Sequence, residues 1–409
     1  MDLMLRNARL PDGGTYAGVD VGIENGRIAA IAPALPATGQ EIDLQGRLLS
    51  PGFVETHIHL DKSRILDRCK AERGELDEAI AEVAKAKKAF TAEDVYDRAK
   101  RTLERCILQG TTHIRTQLEV DPGIGLRGLE GVLPLVREYA WAVDIEICVF
   151  PQEGLLNNPG TDELMVEALK RGCRVVGAAP YTDRDPHGQI DRVFAMAREF
   201  DVDIDMHLDF GPAADDLDLL YVCELAERFR YGGRVAIGHV TKLSAADPQR
   251  FAMSARRMAG AGVALTVLPS TDLYLMGRHM DRSVMRGVTL AHKLLKSGIN
   301  CSLSTNNVLN PFTPFGDCSL IRMANLYANA AQAGTPADLA ACFDMVTVLP
   351  AKLMNLSDYG TTVGHPADIV VLDCTDPASA VAELAQPVMG LKAGRMSFSH
   401  PAAVIHYPT

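Results

Sequence analysis

Histidines at the ends of apolar, strand-like runs are the residues of this chain best suited to chemistry. His57 and His59 lie two positions apart after the run that begins at Phe53, while His207 and His239 end two later runs. Residues i and i+2 of a strand point to the same face, so His57 and His59 can reach one ion from a single strand end. Taken alone, each histidine is better explained as a surface or hydrogen-bonded core residue. Their shared position at strand ends favours a metal site.

Three imidazole ligands with one open position suit a single divalent ion, zinc or iron, that activates water. We therefore predict that His57, His59 and His207 hold one such ion in a metal-dependent hydrolase. His239 is predicted as a catalytic residue that polarises the attacked bond or holds the hydroxide. His113 lies earlier in its strand and is interpreted as structural.

Polar residues near other strand ends are candidates for substrate contacts. Gln152 follows the third apolar run, and its amide can hydrogen-bond an amide-like substrate edge. Lys62 could bind an anionic group, although a surface position is nearly as compatible with the pattern. Asp272 and Arg184 are possible pocket residues by position alone.

Short apolar runs that alternate with amphipathic segments are expected to position these residues. Eight strand–helix alternations follow Pro51 and predict an α/β fold, a TIM (β/α)8 barrel, although their irregular spacing also allows an open doubly wound sheet. Barrel enzymes place their active sites at the C-terminal ends of the strands. The predicted strands are Phe53–His57, Thr112–Gln117, Ile145–Pro151, Arg174–Ala179, Val202–His207, Val235–His239, Ala264–Leu268 and Asn300–Ser304.

Both ends of the chain have the texture of a small β unit. The first 50 residues contain short strand-like runs, with Asn25-Gly26 as a strong hairpin signal, and strand character returns after about residue 355. The simplest arrangement joins the two ends in one small β-sandwich beside the barrel. The predicted domains are the N-terminal part of the sandwich at 1–50, the hydrolase barrel at 51–355 and the C-terminal part of the sandwich at 356–409.

The composition limits the partners. The formal net charge is −11 without a cluster of Lys and Arg, which argues against nucleic-acid binding because nothing would replace phosphate counterions. Nine scattered cysteines without a CxxC pair are typical of small buried side chains in a reducing compartment. No apolar stretch reaches the roughly 18 residues that span a bilayer, and the N-terminus lacks signal-peptide features. We expect a cytoplasmic protein with neither a nucleic acid nor a membrane as partner.

Several segments together resemble a known family over nearly the whole chain. They resemble the amidohydrolase superfamily and, within it, the cytosine deaminases and the N-isopropylammelide hydrolase of triazine breakdown. The resemblance implies that His57, His59 and His207 hold one iron or zinc ion. It also implies His239 beside the ion, Gln152 against a small-molecule substrate, and a homo-oligomer. The segments are Leu49–Lys62 with its HIHLDK sequence, Gly110–Thr116, FPQEG at 150–154, Val202–His207 and NPFTPFG ending at Gly316.

Two positions depart from the pattern of that family. Its eighth-strand aspartate, a metal ligand and proton acceptor, is replaced by Asn306, and an amide cannot accept a proton from water at neutral pH. The acidic proton shuttle of the deaminases is replaced by Phe210, which could stack on a ring or line an apolar pocket. Asn306 is still predicted as a catalytic residue, and Phe210 and Asp209 as substrate-binding residues.

The sequence therefore predicts a hydrolase of a non-peptide C–N bond in a nitrogen heterocycle, similar to the cytosine deaminases, with its proton chemistry reassigned to His239 or Asp209. The missing carboxylates leave two alternatives open. One is a hydrolase of the same fold with a leaving group other than ammonia or a cyclic amide substrate. The other is a non-catalytic, ligand-binding relative. The retained histidines favour an enzyme, because a pure binding protein has no physical need for a metal triad.

Overall fold

Sixteen strands and thirteen helices make up the described part of the chain, which in this computed structural model comprises residues 1–11, 18–37, 39–401 and 403–406. The strands are β1 Leu3–Ala8, β2 Val19–Glu24, β3 Arg27–Ala32, β4 Gln40–Asp43, β5 Leu48–Pro51, β6 Phe53–Ile58, β7 Thr111–Glu119, β8 Asp144–Phe150, β9 Val175–Val176, β10 Asp203–Leu208, β11 Val235–His239, β12 Val263–Val267, β13 Cys301–Leu303, β14 Ile369–Leu372, β15 Pro387–Lys392 and β16 Arg395–Ser399. The helices are α1 Leu76–Ala86, α2 Ala92–Leu108, α3 Arg127–Glu138, α4 Thr161–Lys170, α5 Pro186–Phe200, α6 Asp218–Phe229, α7 Pro248–Ala261, α8 Pro269–Leu275, α9 Ala291–Leu295, α10 Leu320–Ala331, α11 Pro336–Asp344, α12 Val348–Leu353 and α13 Pro377–Ala382.

Strands β6 to β13 form one parallel sheet in which each strand pairs with the next along the chain. Every predicted barrel strand overlaps one of these eight, and the predicted (β/α)8 barrel is confirmed. Helices between the strands bury one face against the sheet. Helix α2 is an example: the Thr91 side chain accepts a hydrogen bond from Asp94 N, and Val95, Ala99 and Leu103, spaced by four residues, are buried. None of the helices in the described ranges has the length and apolar character that a membrane crossing requires.

The barrel closes at a short seam between β6 and the residues that follow β13. Asn306 N donates to His57 O at 2.8 Å, and His59 N donates to Asn306 O at 2.9 Å. The buried Glu55 carboxylate strengthens the seam by accepting from the backbone N–H groups of His57 at 3.2 Å and Thr305 at 3.1 Å. The seam places Asn306 directly beside the two histidines of β6.

The two ends of the chain form a pair of four-stranded sheets that share one apolar core. One sheet has the order β3-β2-β1-β4, and the other pairs β5 with the C-terminal strands in the order β16-β15-β14-β5. Leu5 and Val21 of the first sheet pack in the same buried cluster as Leu49, Val371 and Leu391 of the second. This confirms the predicted β-structure built from both chain ends, while the exact domain boundaries stay predictions. Strand β4 was not predicted, because it carries a single apolar residue.

Candidate metal centre and active site

The side chains of His57, His59 and His207 converge at the C-terminal ends of β6 and β10. The Nε2 atom of His207 lies 3.1 Å from that of His57 and 3.2 Å from that of His59. At most 3% of the surface of each residue is exposed. The Phe150 ring stacks on the His207 imidazole, with centroids 4.4 Å apart. The structure thus brings together the three residues that were predicted to share one ion.

The electrostatics and spacing of these rings fit a metal ion. Burial lowers the pKa of His57 below its ordinary value, and it lowers the pKa values of His59 and His207 well below theirs. Neutral imidazoles offer the lone pairs that coordination needs. Nitrogen ligands about 2.0–2.1 Å from a tetrahedral zinc ion lie about 3.3 Å apart. The observed Nε2 separations of 3.1 and 3.2 Å are close to that spacing.

His239 ends β11, and its ring lies beside the triad. The ring centroids are 6.1 Å from His57 and 5.6 Å from His207. Asp272, fully buried in α8, places Oδ1 2.6 Å from His239 Nδ1, while Asn306 Nδ2 lies 3.5 Å from His239 Nε2. Burial raises the pKa of Asp272, and the contact with His239 opposes that rise. Both residues predicted as catalytic, His239 and Asn306, therefore adjoin the triad.

A cavity adjoins the triad, and its wall includes His59 and His207. Its wall includes Gln152, Lys62 and Phe210, three of the residues predicted to contact substrate. Tyr181 and Phe312 add aromatic surface to the same wall. Phe210 meets the His239 ring edge-on, with centroids 5.2 Å apart. The wall of the cavity therefore combines aromatic rings with several polar groups.

Lys62 contacts Gln152 and shares Glu119 with a second buried lysine, Lys87. Lys62 Nζ donates to Gln152 Oε1 at 3.1 Å and to Glu119 Oε1 at 2.5 Å, and Lys87 donates to the second oxygen of Glu119 at 3.2 Å. Burial would raise the pKa of Glu119, but the two lysines outweigh this effect and lower it. With Oε1 engaged, Gln152 has only Nε2 left; this atom, beside the Tyr181 hydroxyl, makes no hydrogen bond within the described residues.

Asp209 does not line this cavity. Its two carboxylate oxygens accept from the backbone N–H groups of Asp218 at 2.9 Å and Leu219 at 3.0 Å, the first residues of α6, and Lys242 Nζ lies 3.6 Å away. Burial raises the pKa of Asp209 to about 6. The geometry is that of a helix cap, and the predicted substrate contact of Asp209 stays a prediction. Arg184 is exposed and also lies outside the wall.

The backbone over the triad is strained. His239, Val240 and Asn306 have φ angles of 69°, 50° and 64°, in the left-handed region that disfavours side chains, most of all a β-branched one such as Val240. Hydrogen bonds hold this conformation: Val240 N donates to Leu208 O at 3.0 Å, and Thr289 Oγ1 donates to Val240 O at 2.7 Å. Strain of this kind clusters at functional sites, because the surrounding structure must impose it.

The sequence profile of the amidohydrolase family matches residues 40–133 and 141–398. The chain belongs to the amidohydrolase family. The HxH pair of β6 together with His207 of β10 is the cluster typical of the metal site of this family. The resemblance drawn from the sequence motifs is confirmed.

Individual amidohydrolases are similar over most of their length. N-isopropylammelide isopropyl amidohydrolase of Pseudomonas sp. (strain ADP) is 28% identical, covering 97% of this chain and 96% of that protein. Pterin deaminase of Rhizobium rhizogenes is 29% identical, covering 86% and 81%. The crystal structure of 5-methylcytosine deaminase from Klebsiella pneumoniae liganded with 5-fluorocytosine has a TM-score of 0.94 at 28% identity and covers 99% of both chains.

Several residues around this amidohydrolase site were not predicted. Glu119 is the last residue of β7, and an acidic residue just after a predicted strand was an available signal. Asn307 lines the cavity next to Asn306 and could have been included on adjacency. Lys87 lies in a lysine-rich, helix-like segment, where nothing in the sequence marks it as buried. Tyr181 follows the fourth strand, in a short helical turn that the apolar pattern does not show.

Proposed function

We propose that this amidohydrolase cleaves a non-peptide C–N bond of a small nitrogen heterocycle in a metal-dependent reaction. The observation that carries the proposal is the convergence of three neutral imidazoles beside a cavity at the C-terminal end of the barrel. Barrel enzymes perform their chemistry at this end. Binding alone would not require such a triad.

His57, His59 and His207 would hold one zinc or iron ion. When bound, such an ion supplies Lewis-acid activation of water at neutral pH. The chain itself holds the three rings in place. Phe150 stacks on His207, and the Glu55 carboxylate fixes the backbone of His57 at the barrel seam.

The cavity wall suits a planar ring that carries hydrogen-bond acceptors. Gln152 Nε2 is a donor without a partner among the described residues. The Lys62 ammonium has three donors, of which Glu119 and Gln152 take two. The rings of Phe312 and Phe210 offer apolar surface for the faces of a heterocycle.

The relatives named above support a heterocyclic substrate. Their names refer to N-isopropylammelide, pterin and 5-methylcytosine, which are nitrogen-containing rings, and 5-fluorocytosine is bound in one of their structures. Two of these proteins are deaminases, and the third is named for an isopropyl-bearing compound. We infer that this chain takes a ring of the same general class.

Phe210 favours a second candidate within the same chemistry, in which the leaving group is an amine other than ammonia. This apolar ring lies edge-on to His239, at the position where an acidic proton shuttle was expected. An apolar contact there would accommodate an alkyl substituent on the departing nitrogen better than a charged side chain would.

The experiment combines metal analysis of the purified protein with a screen of pyrimidines, triazines and pterins. Ammonia is measured by a coupled assay, and loss of the heterocycle is followed by chromatography. Bound metal with ammonia release supports deamination, and bound metal with heterocycle loss but no ammonia supports the second candidate. If the protein holds no metal and turns over none of these compounds, both candidate functions are contradicted and a ligand-binding relative is favoured.

A matched pair of variants connects metal content to turnover. The His59→Asn variant should bind no metal and should no longer consume the heterocycle. His113→Asn changes a histidine at the opposite end of the barrel and should keep both. Turnover that persists in a metal-free His59→Asn protein would contradict the metal-dependent reaction.

A further inference from the structure

The cavity beside the triad is too small, as it stands, for the ring of a heterocycle. Its volume is about 10 Å³, which leaves room for about one water molecule. A second cavity of about 300 Å³, here called the outer chamber, adjoins it. Arg278 and His279 in the wall of the outer chamber are exposed, so this chamber opens to solvent. A ring can be seated beside the triad only if the wall between the two cavities gives way.

Three apolar side chains form that wall. Leu76, Phe210 and Leu275 line both cavities, and we call them the partition. Leu76 begins α1, a helix in which only Ala79 and Val83 are buried, and Phe210 is itself partly exposed. Few core contacts therefore oppose a displacement of these two side chains. Because all three residues are apolar, the part of a ligand that passes between them should be apolar as well.

The partition meets the reacting end of the inner cavity at Phe210. The Phe210 ring lies edge-on to the His239 ring, with centroids 5.2 Å apart, and His239 adjoins the triad. A nitrogen that departs from the ring beside the triad is therefore close to the partition. A substituent on that nitrogen would pass between the three side chains into the outer chamber.

The outer chamber contains a cation that is held in place and has unused donors. Arg278 Nε donates to Tyr274 O at 2.7 Å, and the guanidinium lies over the Tyr274 ring, 4.3 Å from its centroid. Gly74 packs against the other side, where a Cβ would lie 2.9 Å from Arg278 Cζ. The two Nη groups of Arg278 have no hydrogen-bond or ion-pair partner among the described residues. A guanidinium held in this way is suited to a carboxylate.

The carboxylate in the same wall does not neutralise this cation. Glu75 Oε2 lies 2.9 Å from Arg73 Nη1, and Arg73 is outside the chamber wall. The segment 276–287, which carries Arg278, has three arginines and one aspartate in a chain with a net charge of −11. The chamber is therefore a locally positive region of an acidic protein, which attracts anionic ligands.

We propose that the outer chamber binds a substituent on the departing nitrogen of the substrate, an alkyl chain that ends in a carboxylate. The partition would surround the chain, and Arg278 would bind the carboxylate as a specificity-determining residue. This inference rests on the hydrolysis proposed above and names its substrate class, a heterocycle with an N-carboxyalkyl amino group. Water adds to the ring carbon and the C–N bond breaks. The amine leaves with one proton of the water, and the hydroxyl group stays on the ring.

Three compounds test the subsite on the zinc-loaded protein. They are the ring that the screen ranks first, or cytosine if none is turned over, with its exocyclic amine unsubstituted, propylated or 3-carboxypropylated. By calorimetry, the wild type should bind the carboxypropyl compound about tenfold more tightly than the propyl compound, the effect of one charge-assisted contact. Arg278→Gln should remove this difference, and Arg278→Lys should restore part of it.

Arg282→Gln is the matched control for Arg278, because Arg282 is exposed in the same segment but lies outside the chamber wall. This variant should keep the preference for the carboxypropyl compound. Equal affinities of the wild type for the propyl and carboxypropyl compounds would overturn the proposal. A preference that persists undiminished in Arg278→Gln would overturn it as well.

A second pair of variants tests the passage through the partition. Leu275→Ala should raise the kcat/KM of an N-benzyl derivative relative to the unsubstituted ring on the order of tenfold, because a smaller side chain widens the passage. Leu273→Ala removes the same atoms from the same helix outside both cavity walls and should leave this ratio as in the wild type. Where no compound is cleaved, the ratio of affinities serves instead. Equal ratios in the two variants would contradict a substituent that passes Leu275.

Binding and turnover distinguish this inference from the proposed function. Binding of the carboxypropyl compound that depends on Arg278, without cleavage of any C–N bond, would refute the proposed function and leave the subsite standing. Cleavage of the unsubstituted ring without any preference for the carboxypropyl compound would support the proposed function and refute the subsite.

Discussion

The two ends of the barrel each hold a cluster of three residues of metal-ligating type, and the clusters differ in one physical respect. At the C-terminal end, His57, His59 and His207 face one another. At the N-terminal end, His113 Nε2 lies 3.4 Å from Asp144 Oδ2 and 3.8 Å from Asp368 Oδ2. At this second end, the Lys392 ammonium already lies 2.6 Å from a carboxylate oxygen of each aspartate. No lysine or arginine among the described residues donates a hydrogen bond to the three imidazoles of the first cluster.

The difference shows that residue type and proximity do not by themselves define a metal site. The carboxylates of Asp144 and Asp368 share one cation, Lys392, which joins β15 of the terminal sheets to the barrel. The cluster is therefore a structural connection with its own cation. The triad has lone pairs and no cation of its own, so the two ends should respond in opposite ways to metal and to mutation.

The largest effect should come from removing one imidazole of the triad. His207→Asn should lower zinc affinity on the order of 100-fold or more, because each ligand contributes directly to coordination and even supporting residues contribute about 10–100-fold. Dialysis against a competing chelator followed by elemental analysis measures this affinity. His113→Asn is the matched control and should bind zinc as the wild type does. Equal losses in both variants would remove the distinction between the two ends.

The second effect concerns the internal cation. Lys392→Met leaves Asp144 and Asp368 without their partner and should lower the free energy of unfolding by about 2–3 kcal/mol, below the range for a fully buried pair because the Asp144 side chain is 60% exposed. Urea unfolding of the metal-free protein measures the change. The double variant Lys392→Met/Asp368→Asn should recover part of the loss. A change under about 0.5 kcal/mol would show that the connection is not stabilising.

The sequence predicts those parts of the fold and site that depend on local pattern. Apolar runs at strand spacing predict all eight barrel strands, and the i, i+2 spacing of His57 and His59 predicts their shared direction. Strand β9 is the weakest case: six residues were predicted, and only Val175 and Val176 pair. A helical turn begins at Pro180 soon after, and an apolar run does not show where pairing stops.

The parts that could not be predicted depend on contacts between distant segments. From the sequence, a surface position was nearly as compatible with Lys62 as the pocket, and its burial depends on Glu119, 57 residues further along the chain. Asp272 reaches His239 only because β11 and β12 are neighbours in the barrel and α8 follows β12. Neither contact leaves a trace in periodicity or composition, whereas both follow at once from the strand order.

The third effect is a pH dependence at the N-terminal cluster. Burial, with the nearby Lys392 charge, lowers the pKa of His113 from 6.5 to about 4. The unfolded chain therefore binds a proton that the folded protein does not, and stability falls as the pH drops from 6.5 toward 4. Between pH 7.5 and pH 5 the loss from this residue should be about 2 kcal/mol. Denaturation of the metal-free wild type and of His113→Asn at both pH values isolates this contribution. The loss of stability between the two pH values should be smaller in the variant by that amount. Parallel losses would contradict the depressed pKa.

The smallest effect concerns Asp209, a carboxylate near the triad. Like the carboxylates of the N-terminal cluster, Asp209 already has partners within the protein. Because its oxygens cap the first N–H groups of α6, Asp209→Ala should cost about 1 kcal/mol in unfolding free energy, and Asp209→Asn, which can still cap, much less. Zinc content and heterocycle turnover should be the same in both variants as in the wild type. A stable, zinc-loaded Asp209→Asn protein that no longer turns over the heterocycle would instead assign this carboxylate to the substrate, and the acidic group near the triad would then be functional after all.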